Sequence, residues 1–430
     1  MLSKRADILR VEIMADLPLH VLVLAGGNST RIRTGGPKAL LDLCGVPMIE
    51  HIFRTCEDLP AKSRTLVLGP THRSKIEAWL EKSEHDEWNV VEQTVARGTG
   101  DAVLCALESM PATGRVLILC GDTPLLRSST LQLLVEQGNV MLTAEVDDPF
   151  GLGRILRAEN GELLAIAEQA DATDEQLEIC EINSGVFVLD IEALRAALAV
   201  SDDNNAQGEV YLTTPAVKVL QESNGATVTL PVEESEQVTG VNDLHEMVYV
   251  NRVLRERILE DHLDSGVIID DPVSTFIEVD VEIAPGTRIM PFCVLRSGVK
   301  IGADCVVGPF AHLRVGTELD DRAQIGNFVE TKNAHLGEGA KSKHLTYLGD
   351  VEVGAKSNIG CGTITANYDG KNKHRTVIGE NAFIGSGSIL VAPVNVGDNA
   401  TVGAGAVVTA NHDVPAGETV VGIPAKKLSK

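Results

Sequence analysis

Two hydrophobic periods divide this chain. From Val21 to about Val238, apolar runs of strand length alternate with stretches of helical spacing. "VLVLAGG", "RTLVLG", "VLILCGD", "VMLTAEV" and "GVFVLD" read as strands, with "MIEHIFRTC" and "TGDAVLCALESM" as helices between them. The region is therefore predicted to be an α/β domain with a mostly parallel sheet, and ligands are expected at the carboxyl ends of its strands. Residues 241–265 place Met247, Val250, Leu254 and Ile258 on one stripe among charges, the pattern of a connecting helix.

Beyond that helix the period becomes six. Ile277, Ile283, Ile289, Leu295, Ile301, Val307, Leu313, Leu319 and Ile325 follow one another at that spacing, and a second phase runs Ile378, Ile384, Leu390, Val396, Val402, Val408, Val414 and Val420. Periodic aliphatics separated by small residues suit a parallel β-helix in which each aliphatic points inward and three hexapeptides make one triangular coil. The phase breaks between about Thr331 and Val377, so an insertion such as "NYDGKNKHR" must leave the solenoid as a loop. Loops on rigid scaffolds commonly carry function.

Composition adds limits to this picture. A chain of 430 residues exceeds one ordinary core, and 3% aromatic residues beside 40 glycines agree with a repeat built from small and β-branched side chains. A formal net charge of -24 argues against general affinity for nucleic acid or anionic membranes, which would need a basic face. The eight cysteines form no CxxC pair and have no histidine at zinc spacing, so buried free thiols in a reducing cytosol are expected. Residues 1–19 read as an optional leader with no signal-peptide core, and no membrane insertion is expected.

Basic clusters must then be local, and one stands in "LVLAGGNSTRIRTGGPKALL". A strand ends at a glycine pair, Asn28, Ser29 and Thr30 can turn N–H groups and hydroxyls toward an anion, and Arg31 and Lys38 supply charge to a polyphosphate. "LCGDTP" sets Asp122 just past a buried strand, where a carboxylate can hold Mg²⁺ against phosphate oxygens, and "VTGVNDL" offers Asn242 as a second oxygen ligand.

The order "LAGGNSTR…PKALL…VEQ…GTGDA…CGDTP…GLGRI…EQADATDEQ…EINSGVF…NNAQGEVYLT…VTGVND" resembles the sugar-nucleotide pyrophosphorylases. It is particularly similar to the bifunctional N-acetylglucosamine-1-phosphate uridylyltransferase/glucosamine-1-phosphate acetyltransferases. The likeness implies a Rossmann-like nucleotidyltransferase domain over residues 20–240, a linker helix over 241–265 and a left-handed parallel β-helix acetyltransferase domain over 266–430. It also implies that Leu24, Gly27, Arg31 and Lys38 serve UTP and its phosphates, with Gln93, Gly98 and Thr99 on the uracil. Gly153, Glu168 and Asn183 would bind the amino sugar, and Asp122 and Asn242 would hold Mg²⁺.

In the break of the repeat, "GNFVETKNAHLGEGAKSKHLTYLGD" and "NIGCGTITANYDGKNKHRT" resemble the acetyltransferase half of the same family. The likeness implies Arg314, Lys332, Tyr347, Asn358 and Lys373 on the sugar phosphate and His344 as general base, with Asn367 beside it. Ser386 and Ala404 would line the acetyl-CoA site. An imidazole, with an unperturbed pKa of about 6.5, suits a base that must be largely neutral at pH 7. A homotrimer is expected, as is typical of left-handed β-helix acyltransferases. Retention of Arg31, Lys38, Asp122 and Asn242 weighs against a non-catalytic scaffold, and His344 with Lys332 and Tyr347 weighs against uridylyl transfer alone.

Overall fold

The computed structural model describes residues 17–27, 31–32, 34–223 and 228–428. Most of the expected leader, and Asn28, Ser29 and Thr30 of the phosphate loop, lie outside the described residues. Two compact units emerge, one from the chain through Leu43 with Pro47–Val250, the other from Cys44–Val46 with Asn251–Lys430.

The first unit is built on β1 (Leu19–Ala25), β2 (Ala61–Leu68), β3 (Trp88–Glu92), β4 (Arg115–Cys120), β5 (Val140–Glu145), β6 (Arg154–Arg157), β7 (Leu163–Ala167), β8 (Glu181–Asp190) and β9 (Thr229–Pro231). The sheet order is β9-β5-β8-β4-β1-β2-β3. Strand β1 is parallel to both β2 and β4. Its side chains alternate between two covered faces, which is why it reads as an unbroken apolar run. Val21 and Val23 pack with Ile49, Ile52 and Phe53 of α1 (Met48–Thr55), while Leu22 packs with Val103, Ala106 and Leu107 of α2 (Thr99–Ser109).

Strand β8 runs antiparallel to β4 and β5. Its first residues therefore lie at the edge where β1 and β4 end. The hairpin β6–β7 joins there through Ile182 opposite Arg154. Reversal of one strand thus adds side chains to an edge already rich in strand ends.

Helix α3 (Leu244–Asp264) is reciprocally capped. The Asp243 carboxylate accepts from the N–H groups of His245 and Glu246, while Glu246 accepts from those of Asn242 and Asp243. Its buried positions are Val250, Val253, Leu254 and Leu259, with Met247 and Ile258 only partly covered. The inner stripe is thus centred on Val253 and Leu254 rather than running from Met247 to Ile258. Among the described residues no helix is long and apolar enough to cross a membrane.

The second unit is the β-helix. Phe276 stands opposite Val294 and Val294 opposite His312, steps of eighteen residues, and in each short strand the second residue points inward. The in-phase aliphatics from Ile277 to Ile325 and from Ile378 to Val420 are all buried. The three faces of the prism are built by strands such as Gln324–Asn327 on the first, Thr346-flanked Tyr347–Val353 turning from the second to the third, and Thr376–Ile378 on the third.

The phase break has two causes. Two successive coils shorten to seventeen residues, with Gln324 opposite Lys341 and Lys341 opposite Asn358. Inward positions there are also partly polar: Thr331, Ser342 and Thr365 are fully buried. Thr331 shares a 2.9 Å hydroxyl contact with Thr317, and Thr365 accepts from the Gly349 N–H at 2.7 Å. The next step, Val351 to Thr376, is longer by the insertion, which leaves as a hairpin in which Tyr368 bridges Lys373.

All eight cysteines are free, but burial is uneven. Cys44, Cys56, Cys293 and Cys305 are buried, whereas Cys180 is exposed and Cys105, Cys120 and Cys361 are intermediate, so only part of the expected buried set is buried.

Leu319 and Glu318 are adjacent, one inside the coil and one outside. Leu319→Ala should lower unfolding free energy by about 2–5 kcal/mol, the usual cost of emptying a core leucine. Glu318→Ala should stay within about 0.5 kcal/mol. Denaturant melts of the pair check the inward assignment.

Candidate active sites

In the first unit, Leu24, Gly27, Lys38 and Asp122 line one open cleft together with His72 and Ile76. Asp122 follows β4 through Gly121, where an added Cβ would stand 2.9 Å from the Ala25 Cβ, so the ends of β1 and β4 are closely apposed. Lys38 opens a short 3-10 turn, and its Nζ donates to Asp122 Oδ2 at 2.5 Å and to the Val241 carbonyl at 3.2 Å. The Val241 N–H donates to the Asp122 carbonyl at 2.8 Å, which brings Asn242 to the same place. There Arg31 donates to Asn242 Oδ1 at 2.9 Å. Both expected phosphate cations thus touch the two expected metal ligands.

One carboxylate and one amide oxygen, each already facing a cation, form a hard-oxygen donor pair suited to a divalent metal whose remaining ligands are phosphate oxygens and water. Among the described residues there is no cluster of three or more His, Cys, Asp or Glu side chains that could hold a metal unaided.

Gln93 follows β3 and is buried. Its Nε2 donates to the Gly98 carbonyl at 3.0 Å and to Asp101 Oδ2 at 2.9 Å. Gly98 has φ +104, and a Cβ there would stand 2.6 Å from the Val210 carbonyl, so only glycine fits. Thr99 opens α2 and its Oγ1 accepts from the Leu212 N–H at 3.2 Å. Gln93, Gly98 and Thr99 therefore form one group, bordered by Gly26, whose added Cβ would stand 3.1 Å from Gln93 Oε1.

The residues expected on the amino sugar also converge. The Asn183 N–H donates to the Gly153 carbonyl at 2.9 Å, and Glu168 Oε2 lies 3.4 Å from the point where a Gly153 Cβ would stand. Burial raises the Glu168 pKa, and a 3.1 Å hydrogen bond from Thr213 opposes that shift. Asp101 and Thr213 escaped the sequence reading. Asp101 left a signal in "GTGDA", an acid in the first turn of a helix, whereas Thr213 comes from a distant segment and left none.

In the second unit the expected residues fall on two corners of the prism. His344 and Asn327 are register partners, and His344 Nδ1 bonds Asn327 Oδ1 at 2.8 Å. The Gly362 N–H reaches the His344 carbonyl, that of Gly387 reaches Cys361, and that of Gly405 reaches Ser386, so His344, Cys361, Ser386 and Ala404 occupy one corner in successive coils. Asn327 went unassigned in the sequence although it lies in the quoted "GNFVE".

The other corner is cationic. Lys332 stands opposite Gly349, and a Cβ on Gly349 would lie 2.5 Å from the Tyr347 hydroxyl, so the Tyr347 ring lies along the same strand. The ammonium of Lys373, reaching in from the inserted hairpin, lowers the Lys332 pKa, and Arg314 adds to the effect. Arg314 is paired with Glu330 at 2.8 Å. Asp350 accepts from both Asn367 and Asn333 and fixes the corner. Asn358 lies on the neighbouring face, opposite Lys341 and Phe383, and joins neither group.

Three family models match: the MobA-like NTP transferase domain over residues 21–175, the bacterial transferase hexapeptide (six repeats) over 280–315, and the hexapeptide repeat of succinyl-transferase over 375–410. The bifunctional protein GlmU of Thermoanaerobacter pseudethanolicus is 39% identical over 417 residues, covering 88% of this chain and 90% of that protein. That of Pelobacter propionicus is 41% identical over 443 residues, covering 93% and 95%. A solved UDP-glucose pyrophosphorylase complexed with UDP-glucose is 14% identical, covers 56% of this chain and 100% of that one, and has a TM-score of 0.45. Similarity of this depth through both units, over a nucleotidyltransferase sheet and a hexapeptide β-helix, makes the chain a member of the GlmU family of bifunctional proteins.

Proposed function

We infer that the chain makes UDP-N-acetylglucosamine in two steps. The β-helix unit transfers acetyl from acetyl-CoA to glucosamine 1-phosphate, and the nucleotidyltransferase unit joins the product to UTP with release of pyrophosphate. The observation that carries this reading is that likeness to a bifunctional relative runs through both units while each holds its own polar constellation.

For uridylyl transfer, a phosphate oxygen of N-acetylglucosamine 1-phosphate attacks the α-phosphorus of UTP and the bond to the β-phosphate oxygen breaks. Lys38 and Arg31 are assigned to the charge that gathers on the leaving pyrophosphate. Gln93, Gly98 and Thr99 are assigned to the uracil, and Gly153, Glu168 and Asn183 to the amino sugar. Asp122 and Asn242 would hold Mg²⁺, which when bound supplies further positive charge to the phosphate oxygens.

For acetyl transfer, the amine of glucosamine 1-phosphate attacks the thioester carbonyl, the C–S bond breaks and coenzyme A leaves as the thiol. The Asn327 oxygen on Nδ1 selects the tautomer protonated there and leaves the Nε2 lone pair of His344 to take the amine proton. Arg314, Lys332, Lys373 and Tyr347 are assigned to the sugar phosphate, and Ser386 and Ala404 to acetyl-CoA. On one chain these groups lie on two corners with a face between them, which favours a homotrimer in which neighbouring copies complete each site. Phe292, Phe310 and Phe328 stack outside the first of these corners with centroids 4.8 and 5.1 Å apart, apolar surface that assembly would cover.

Asp122→Asn should reduce pyrophosphate release at saturating Mg²⁺ by about 10²–10³-fold, the usual scale for removing one electrostatic stabiliser of a transition state; an unchanged rate would refute the metal assignment. His344→Ala should lower thiol release from acetyl-CoA by about 10²–10⁴-fold and spare UDP-N-acetylglucosamine synthesis from supplied N-acetylglucosamine 1-phosphate. Light scattering should give three times the 45.8 kDa chain mass, and a monomer that retained full acetyl transfer would exclude the shared site.

A further inference from the structure

We propose that Asp101 is a specificity-determining positioning residue: it locks the Gln93 amide so that the nucleotide site accepts a base with a ring N–H donor and rejects one with a bare ring nitrogen. This rests on the reading above that Gln93 faces the base.

The lock is chemical. A glutamine amide has a donor end and an acceptor end, and which end faces a ligand depends on its other neighbours. Gln93 Nε2 has two, the Gly98 carbonyl at 3.0 Å and Asp101 Oδ2 at 2.9 Å. A carbonyl and a carboxylate can only accept, so both amide hydrogens are committed and rotation of the amide would set oxygen against oxygen at both contacts.

Asp101 is itself held in place. It is buried, it lies in the first turn of α2, and Arg97 donates to its Oδ1 at 2.6 Å from a largely exposed position. The helix N-terminus and the guanidinium both favour a negative charge here.

What remains to meet a ligand is Gln93 Oε1, to which no described donor is hydrogen-bonded. It faces Gly26, where any Cβ would stand 3.1 Å away, so the glycine at the end of β1 keeps the acceptor uncovered. Uracil presents N3–H to such an oxygen. Cytosine presents a lone pair at N3, and a site whose committed hydrogen-bonding group is left facing a like group discriminates strongly. The lock does not separate uracil from thymine, which share this edge.

The test is the ratio of kcat/KM for UTP over CTP, with thiol release from acetyl-CoA and thermal melting as folding controls. Asp101→Asn replaces an obligatory acceptor with a group that can donate, which leaves only the Gly98 carbonyl to oppose a turned Gln93 amide and lets both orientations be populated. The ratio should fall about ten-fold or more, on the scale of one misdirected hydrogen bond in a recognition site. Asp101→Glu keeps an acceptor-only partner and should hold the ratio near that of the native enzyme even where both efficiencies fall, which a merely structural role would not predict. Asp101→Ser, whose hydroxyl can donate or accept, is the second variant should the asparagine fail to fold, with the same expected fall. A native ratio in folded Asp101→Asn or Asp101→Ser overturns the proposal. Gln93→Ala separates the two levels: if it leaves both the KM for UTP and the ratio unchanged, Gln93 does not face the base and the underlying reading fails. If it changes both while the Asp101 variants change neither, only the lock is wrong.

Discussion

The coil residues assigned to the β-helix site, Lys332, His344 and Tyr347, owe their positions to inward-pointing neighbours. The coils are so close that a Cβ on Gly326 would stand 1.9 Å from the Lys343 carbonyl, which leaves no room for a coil to shift. With one aliphatic buried at each sixth position, a slip of one residue would send that row into solvent and its polar neighbours inside. Register is therefore strongly specified, and register alone sets Asn327 beside His344 one coil away. The two shortened coils are where positions of that row turn to threonine and serine, and they also carry Lys332, His344 and Tyr347.

The β-helix was legible because its signal is local and repeated. Inward Ile and Val at fixed spacing need no knowledge of distant residues, and the loss of phase near Thr331 marked a real change in the coil, although part of it came from polar inward residues rather than from the insertion. Strands β1 and β4 were legible for a similar reason, since burial on both faces writes a continuous apolar run. The reversal of β8 and the hairpin β6–β7 were not, because strand direction depends on connections and not on side-chain pattern. Asn327 and Asp350 belong to the same illegible class, because each acts through a contact that tertiary structure alone creates, and Asp101 showed in the sequence only as an acid in the first turn of a helix. The role of Gln93 came from family resemblance, whereas the constraint on its amide became visible only with Asp101 in place.

Charge ties the two units to one kind of ligand by different means. The chain carries a net charge of -24, yet every substrate proposed for it is an anion. In the first unit the site cations are already engaged, Lys38 in an ion pair with Asp122 and Arg31 in a hydrogen bond to the neutral Asn242 oxygen. A phosphate that takes Lys38 must replace a carboxylate as its partner, and the carboxylate so released is the one assigned to the metal. Binding there is an exchange, and its affinity is the difference between two ion pairs rather than the whole of one. In the second unit Lys332 and Lys373 face each other, and their mutual repulsion lowers the Lys332 pKa. An anion between them relieves a cost already present, and by linkage it must also favour the protonated form of Lys332. Phosphate arriving at the first site would thus exchange partners with a cation already engaged, whereas phosphate at the second would relieve a repulsion that Asp350 only partly offsets.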